Sequence, residues 1–227
     1  MYNLVMAKKF FIFSLDDGVI FDETTINLFN KYGIKGTFNL NSGLNNFVWY
    51  YNDEIPIPRF NLPDVVSLYN GHEVSSHTLT HPYLDQCPED VVIKEVNEDI
   101  KNLEQIFKRE VTSFATPFST CGEREIEIIK KNCPVNNIRI SVLDESFQMP
   151  KDQYHIKITS WAIDRALELF DQFVQDDDAK LFVYAGHSYD FYVRNTFDKL
   201  EELIKKITSY KDVEVLTMGD FVKKFYN

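Results

Sequence analysis

The sequence predicts an α/β fold, a single-domain (β/α) barrel that is incomplete or distorted and holds about seven strands. Short apolar or β-branched runs alternate with segments of helical period along the whole chain, which is the pattern of βα units around a parallel sheet. At 227 residues, 44% hydrophobic and 15% aromatic, the chain has the size that one such domain fills. No Pro-, Gly- or Ser-rich stretch and no fixed-period repeat divides it, so residues 1–227 are expected to form one domain.

The first strand is read from Lys9 to Leu15, an almost wholly apolar run. Glu23 to Tyr32 follows as a helix stopped by Gly33, and Lys35 to Leu40 is the second strand. A connection carrying Pro56, Pro58 and Pro63 leads to an expected helix near Asp64 to Asn70, and Glu73 to Ser75 is a short third strand. From Pro88 to Phe107 the residues Val92, Val96, Ile100, Leu103 and Phe107 fall on one helical face, with Pro88 suited to a helix start. Val111 to Phe114, Asn137 to Ile140, Leu181 to Ala185 and Val213 to Leu216 are further strands. Glu123 to Asn132, Thr196 to Tyr210 and Met218 to Phe225 are further helices, and Asp176-Asp177-Asp178 reads as a solvated loop.

A formal charge of -11, with 24 Lys and Arg scattered rather than gathered, opposes a phosphate-neutralising surface, so no nucleic acid partner is expected. Cys87, Cys121 and Cys133 form no CxxC pair and imply neither a disulfide framework nor a thiolate metal site. The apolar run within Met1 to Phe13 is too short for an export leader, and no stretch approaches the roughly 20 apolar residues of a membrane span. A soluble, cytoplasmic protein is the expectation.

In barrels of this type the chemistry sits at the carboxyl ends of the strands, and the polar residues of interest do follow strands. Asp16-Asp17-Gly18 closes the first strand; by itself it also reads as ordinary turn punctuation. His77 and His81 follow the third strand at i,i+4, a spacing that on a helical turn puts both imidazoles on one face, although such a pair is often a surface pair. Two histidines and a carboxylate make three protein ligands, the count of a catalytic zinc site with an open position. His187 follows the apolar strand at 181–185, as a structural histidine or as a proton donor facing the same mouth.

These three fragments, in this order, resemble the NodB-homology polysaccharide deacetylases, carbohydrate esterase family four, over nearly the whole chain from Phe10 to about Phe225. Gly33 through Phe38 and Gly71-His72-Glu73 add to the match. The resemblance implies Asp16 as catalytic base, and Asp17, His77 and His81 as ligands of a divalent metal, zinc first, with cobalt, manganese or nickel as alternatives. It implies Phe118 as the residue whose backbone N–H helps hold the oxyanion, and His187 as general acid. The implied activity is hydrolytic removal of an acetyl group, N-acetyl foremost, from a carbohydrate or sugar conjugate, for example in surface-glycan biosynthesis. The rival expectations are a weakly catalytic relative that binds a glycan or partner, and a hydrolase of another C–N bond or an O-acetyl ester on the same scaffold.

Two departures stand out. The family's arginine that pairs with the catalytic aspartate is Ala115 here, with Arg124 and Arg139 as possible substitutes. The acidic residue and tryptophan that support the general acid have only Trp161 and Asp164 as nearest counterparts; Asp190 is read as a second possible partner of His187 or as a solvated loop residue. His72 is expected to be structural and close to the metal loop, and Trp49-Tyr50-Tyr51 to line a sugar surface or to pack a loop.

Overall fold

The computed structural model describes residues 8–226; of the segment read for an export leader, residues 1–7 lie outside them. In chain order the strands are β1 (Lys9–Asp16), β2 (Thr37–Leu40), β3 (Val48–Tyr51), β4 (Ile55–Pro58), β5 (Glu73–Ser76), β6 (Ser113–Ala115), β7 (Asn137–Leu143), β8 (Ile156–Ile158), β9 (Leu181–His187) and β10 (Val213–Leu216). The helices are α1 (Asp22–Lys31), α2 (Glu89–Phe107), α3 (Glu123–Asn132), α4 (Ile163–Gln175), α5 (Ser188–Val193), α6 (Phe197–Ser209) and α7 (Met218–Phe225).

The main sheet is parallel throughout and runs β10-β1-β2-β5-β6-β7-β8, with β9 on the other edge of β1. It curls into a distorted (β/α) barrel. Strands β8 and β9 meet through a single parallel bridge, Ser160 with Tyr184, so that seam is thinner than the others. Strand β1 shares one edge between two neighbours: β10 pairs with Lys9 to Ile12, β2 with Ser14 to Asp16. The hairpin β3-β4 stands apart as a two-stranded antiparallel sheet.

Side-chain alternation then decides what faces the barrel interior. On β1, Phe11, Phe13 and Leu15 join the cluster between sheet and helices, where Phe29 of α1 and Phe170 of α4 meet them. Phe10 and Ile12 point the other way, into a cluster with Ile156, Ile158, Leu181, Val183 and Ala185, closed below by Met218 and Phe221 of α7. By the same parity Asp16 continues the inward row of β1 and His187 that of β9.

The opposite wall inverts the usual apolar interior. Phe38, Leu40, Val74, Phe114, Ile138 and Ile140 face outward to the helices. The residues of opposite parity on β2, β5, β6 and β7 include Asn39, Glu73, Ser75, Ser113, Asn137 and Arg139, all polar and all buried or nearly so. Several of them bond one another: Glu73 accepts from Thr37 Oγ1, Ser113 Oγ and the Gly219 N–H at the start of α7, and Asn137 donates to Ser113 Oγ, whereas Ser75 Oγ and Asn137 Oδ1 are buried without a protein partner among the described residues. Half of the interior is thus packed hydrocarbon and half is a hydrogen-bonded network leading up to the mouth.

Several expectations need correction. The helix expected near Asp64 to Asn70 is a 3-10 turn at Leu62–Asp64 followed by irregular turns. Between Pro63 and Gly71 there is room for fewer than two helical turns, and Val65 and Val66 add β-branched residues, too little to offset helix nucleation. His72 is structural, accepting from the Gly36 N–H at Nδ1 and facing Asn30 Oδ1 through Nε2, but it precedes β5 and so lies at the opposite end of the strand from His77. Helix α4 was not expected, although its buried residues Ile163, Ala166, Leu169, Phe170 and Phe173 carry a clear helical period.

Candidate active site and metal centre

Asp16, Asp17, His77, His81, Phe118 and His187 all line one cavity of about 750 Å³ at the carboxyl ends of the strands. Aromatic side chains border it: Phe47, Trp49, Trp161 and Tyr189, with Phe47 and Trp161 about half exposed.

Four residues around this cavity adopt positive φ without being glycine: Asp17 (87°), Thr78 (69°), His81 (58°) and Phe118 (54°). Such backbone is costly, most of all for β-branched Thr78, and persists only where the surroundings dictate it. Asp17 turns out of the strand direction immediately after Asp16, and Gly18 continues the turn at 65°. The two carboxylates therefore separate, one in the inward row of β1 and the other at the rim.

His77 and His81 are not on a helical turn. They bracket an irregular loop after β5, and their rings still meet edge to face with centroids 4.9 Å apart. Two left-handed residues do what the i,i+4 spacing of a helix was expected to do. Helix α2 holds this loop with two acidic residues on its buried face. Glu95 accepts from the Thr80 N–H and Thr80 Oγ1, both at 2.8 Å. Asp99 accepts from the Ser42 N–H (2.7 Å), Ser76 Oγ (2.6 Å) and the His77 N–H (3.3 Å). Asn41 Nδ2 donates to the His77 and Thr78 carbonyls. Replacing Asp99 with alanine leaves two buried donors, the Ser42 N–H and Ser76 Oγ, without their acceptor, while the His77 N–H keeps the Leu40 carbonyl at 2.9 Å. The expected loss is on the order of 2–4 kcal/mol of stability, since each orphaned group costs about 1–3 kcal/mol before relaxation. Urea unfolding reads it, and a loss under about 0.5 kcal/mol would contradict the role assigned to this helix.

Donor atoms of Asp17, His77 and His81 lie within 4.8 Å of one another. His77 Nδ1 is 2.8 Å from the Ala115 carbonyl oxygen, which can only accept, so Nδ1 carries the proton and Nε2 presents its lone pair. Burial depresses both imidazoles, His77 well below the ordinary histidine range, and thereby keeps them neutral, the form a metal requires. For Asp17, burial acts upward, but the charges facing it, Arg59 first and then His187, outweigh it, and its carboxyl is held below the usual value. Two neutral imidazoles and one carboxylate fit a divalent metal of the zinc type.

Asp16 is gripped from two sides. Arg139 Nη2 lies 2.7 Å from each of its oxygens, and Asn39 Nδ2 donates to Oδ1 at 2.7 Å. The guanidinium missing from position 115 is therefore supplied from the next strand, for Ala115 and Arg139 are register partners on β6 and β7. Register partners share a face, so a methyl group at 115 leaves the room through which Arg139, 2% exposed, reaches across to Asp16. Arg124 is elsewhere, paired with Glu125 and the Cys87 carbonyl.

His187 Nε2 is 3.8 Å from Asp17 Oδ2, and its Nδ1 is 3.0 Å from Asp190 Oδ2. Burial alone would lower this imidazole, but the Asp190 hydrogen bond and the carboxylates of Asp17, Asp190 and Asp16 push it up to about 9. Asp190, in the first turn of α5, is thus the partner of His187 rather than a solvated loop residue. Asp164 pairs instead with Lys199 on the surface, and Trp161 lines the mouth without a hydrogen bond to His187. Phe118 stacks on Tyr83 at 3.9 Å and meets the edge of His81 at 4.4 Å.

Asp22 lies beneath the site at the start of α1, with Tyr69 donating to Oδ2 at 2.9 Å. Burial outweighs its hydrogen bonds and pushes its carboxyl up to about 7. A carboxyl that binds its proton more tightly folded than unfolded costs stability as pH rises from about 4 to about 7, and the full cost remains above that. Asp22→Asn is therefore expected to stabilise the fold at pH 8 and to change it little at pH 4. Denaturant unfolding at the two pH values checks this, and a loss at pH 8 would contradict it.

A (β/α) barrel with an acidic pair, two histidines and an aromatic-bordered cavity at the strand ends is the frame of this candidate site. The chain belongs to the polysaccharide deacetylase family, which it matches over residues 5–133. Comparison with curated proteins gave no match. Among solved structures, the chain is similar to the Xyl-CE4 domain of a multidomain xylanase from the hindgut metagenome of Trinervitermes trinervoides (TM-score 0.63, 16% identity, covering 96% of this chain and 91% of that one). A family 4 acetyl xylan esterase from Clostridium thermocellum, solved with a cobalt ion, gives a TM-score of 0.65 at 14% identity, with 95% and 91% covered. A CE4 family pseudoenzyme from Bacillus anthracis gives 0.60 at 14%, with 94% and 65% covered. At these identities the likeness is one of fold. Among the described residues no helix is long and apolar enough to cross a membrane.

Proposed function

We propose that residues 1–227 form a metal-dependent deacetylase that hydrolyses an acetyl group, N-acetyl foremost, from a carbohydrate or sugar conjugate. The observation that carries this reading is the convergence of the Asp17, His77 and His81 donor atoms within 4.8 Å in a cavity that also holds Asp16 and His187.

In this reading Asp17, His77 and His81 hold the metal. A divalent cation there acidifies water and polarises the acetyl carbonyl. Asp16, fixed by Arg139 and Asn39, accepts the proton of the attacking water. The backbone N–H of Phe118, which lines the same cavity, is assigned to the developing oxyanion. His187 is protonated at neutral pH, its carboxylate neighbours having pushed it up to about 9, and returns a proton to the departing nitrogen. Asp190 sets the orientation of that ring. The bordering aromatics, Trp161 and Phe47 among them, give sugar rings apolar faces to stack on.

The rival reading, a weakly catalytic relative that binds a glycan or partner, draws its motive from Ala115; the guanidinium of Arg139 on Asp16 speaks for the catalytic reading instead. Purified protein assayed with chitooligosaccharides, acetylated xylan and UDP-N-acetylglucosamine in zinc, cobalt or manganese is expected to release acetate from at least one, and to stop when the metal is chelated. No acetate from any combination would overturn the proposal.

A further inference from the structure

The chemistry just described makes no use of Arg59. The hairpin β3-β4 delivers it: Val19 and Arg59 form an antiparallel bridge, the Ile20 N–H donates to the Pro58 carbonyl, and the Phe60 N–H to the Gly18 carbonyl. These bonds pin residues 58–60 against the chain that has just left Asp17. Trp49 and Tyr51 of β3 pack on Tyr189, in one cluster with Val19 and Ile57, and anchor the hairpin further.

The guanidinium is held at three points. Nη1 donates to the Asp17 carbonyl at 2.6 Å and to Asn41 Oδ1, while Nη2 donates to Asp17 Oδ1 at 2.8 Å. The Arg59 side chain is 6% exposed, and so is that of Asp17. The same Oδ1 lies 3.6 Å from His81 Nε2. A permanent cation therefore sits on the carboxylate that completes the His77, His81 and Asp17 donor set. A second cation bound to that carboxylate has to share one negative charge with the first, in surroundings too buried for water to screen the repulsion.

We propose that Arg59 is a positioning residue of the metal centre, a resident counter-cation that keeps Asp17 oriented and charge-compensated without metal and in return weakens metal binding. This rests on the metal reading of Asp17, His77 and His81. The sign is what distinguishes it. Losing an ordinary neutral hydrogen-bond partner of a ligand weakens metal binding about 10–100-fold, whereas losing this cationic partner tightens it.

The test is zinc titration of the full chain against a chromophoric chelator, for wild type, Arg59→Gln, Arg59→Lys and His77→Ala, with thermal unfolding recorded with and without zinc. Arg59→Gln is expected to bind zinc about tenfold more tightly, to melt lower than wild type without zinc, and to gain more from zinc. Arg59→Lys, which keeps the charge, stays close to wild type. Equal or weaker zinc binding by Arg59→Gln, in a wild type that does bind zinc, overturns the inference alone. Wild type that takes up no zinc overturns the metal reading and the inference with it. Should Arg59→Gln be unfolded without metal, refolding on zinc addition, read by circular dichroism, supports the inference, and failure to refold at saturating zinc overturns it.

Discussion

Arg139→Ala is expected to lower kcat by about 10²-fold or more, the scale of general-base catalysis, while metal uptake and KM stay near wild type. The variant leaves Asp16 as a buried carboxylate without its cation, so a stability loss of about 3–5 kcal/mol is expected alongside. Because a merely destabilised enzyme also loses activity, the decisive comparison is the double variant Ala115→Arg with Arg139→Ala. Positions 115 and 139 are register partners on adjacent strands, so an arginine at 115 approaches Asp16 from the neighbouring column. Partial recovery of kcat by the double variant, measured at a temperature where both proteins are folded, identifies orientation of Asp16 as the lost function. Unchanged kcat in Arg139→Ala would remove Arg139 from the account.

His77→Ala is expected to abolish both metal uptake and acetate release. Removing a partner of a ligand typically costs 10–100-fold in affinity, and removing the ligand itself should exceed about 100-fold. His77 is 1% exposed, its Nδ1–H is committed to the Ala115 carbonyl, and no rotation brings another nitrogen to its place. The loss should not depend on unfolding, since the main-chain bond of His77 to Asp99 and the Asn41 bond to its carbonyl survive the substitution. Elemental analysis and an acetate assay on the same sample read both quantities; retention of either would contradict the ligand assignment.

Much of this architecture was legible in the sequence. Strand β10 and helices α3 and α7 fall where the periodicity placed them, because their apolar residues repeat at the period of the element they form. The strands of the polar wall were harder to bound. On β7 the outward Ile138 and Ile140 alternate with inward Asn137, Arg139 and Ser141, so the strand reads as half polar and its end at Leu143 was placed early. The same alternation was an available signal for Arg139: a cation whose neighbours at ±1 are both outward isoleucines has to face the interior, and a buried arginine needs a carboxylate. Glu95 and Asp99 carried a similar signal, two acids within the apolar stripe of α2.

Other features were not legible. The meeting of His77 and His81 depends on positive φ at Thr78 and His81, which no helical spacing rule describes. Arg59 reaches Asp17 only because a hairpin folds 42 positions back across the mouth, a tertiary contact without a local pattern. Asp190, three residues from His187, was one of the readings the sequence offered for its partner, but the short helix α5 that carries it back toward the imidazole has no signal of its own.

The most direct test of the central claim is diffraction from crystals grown with zinc, recorded on both sides of the zinc absorption edge. One strong anomalous peak is expected at roughly 2.0–2.2 Å from His77 Nε2, a ring nitrogen of His81 and a carboxylate oxygen of Asp17, with Asp16 still held by Arg139 and not bound to the ion. A peak absent from this cluster in zinc-saturated crystals, or an ion bound to Asp16 in place of Asp17, would contradict it.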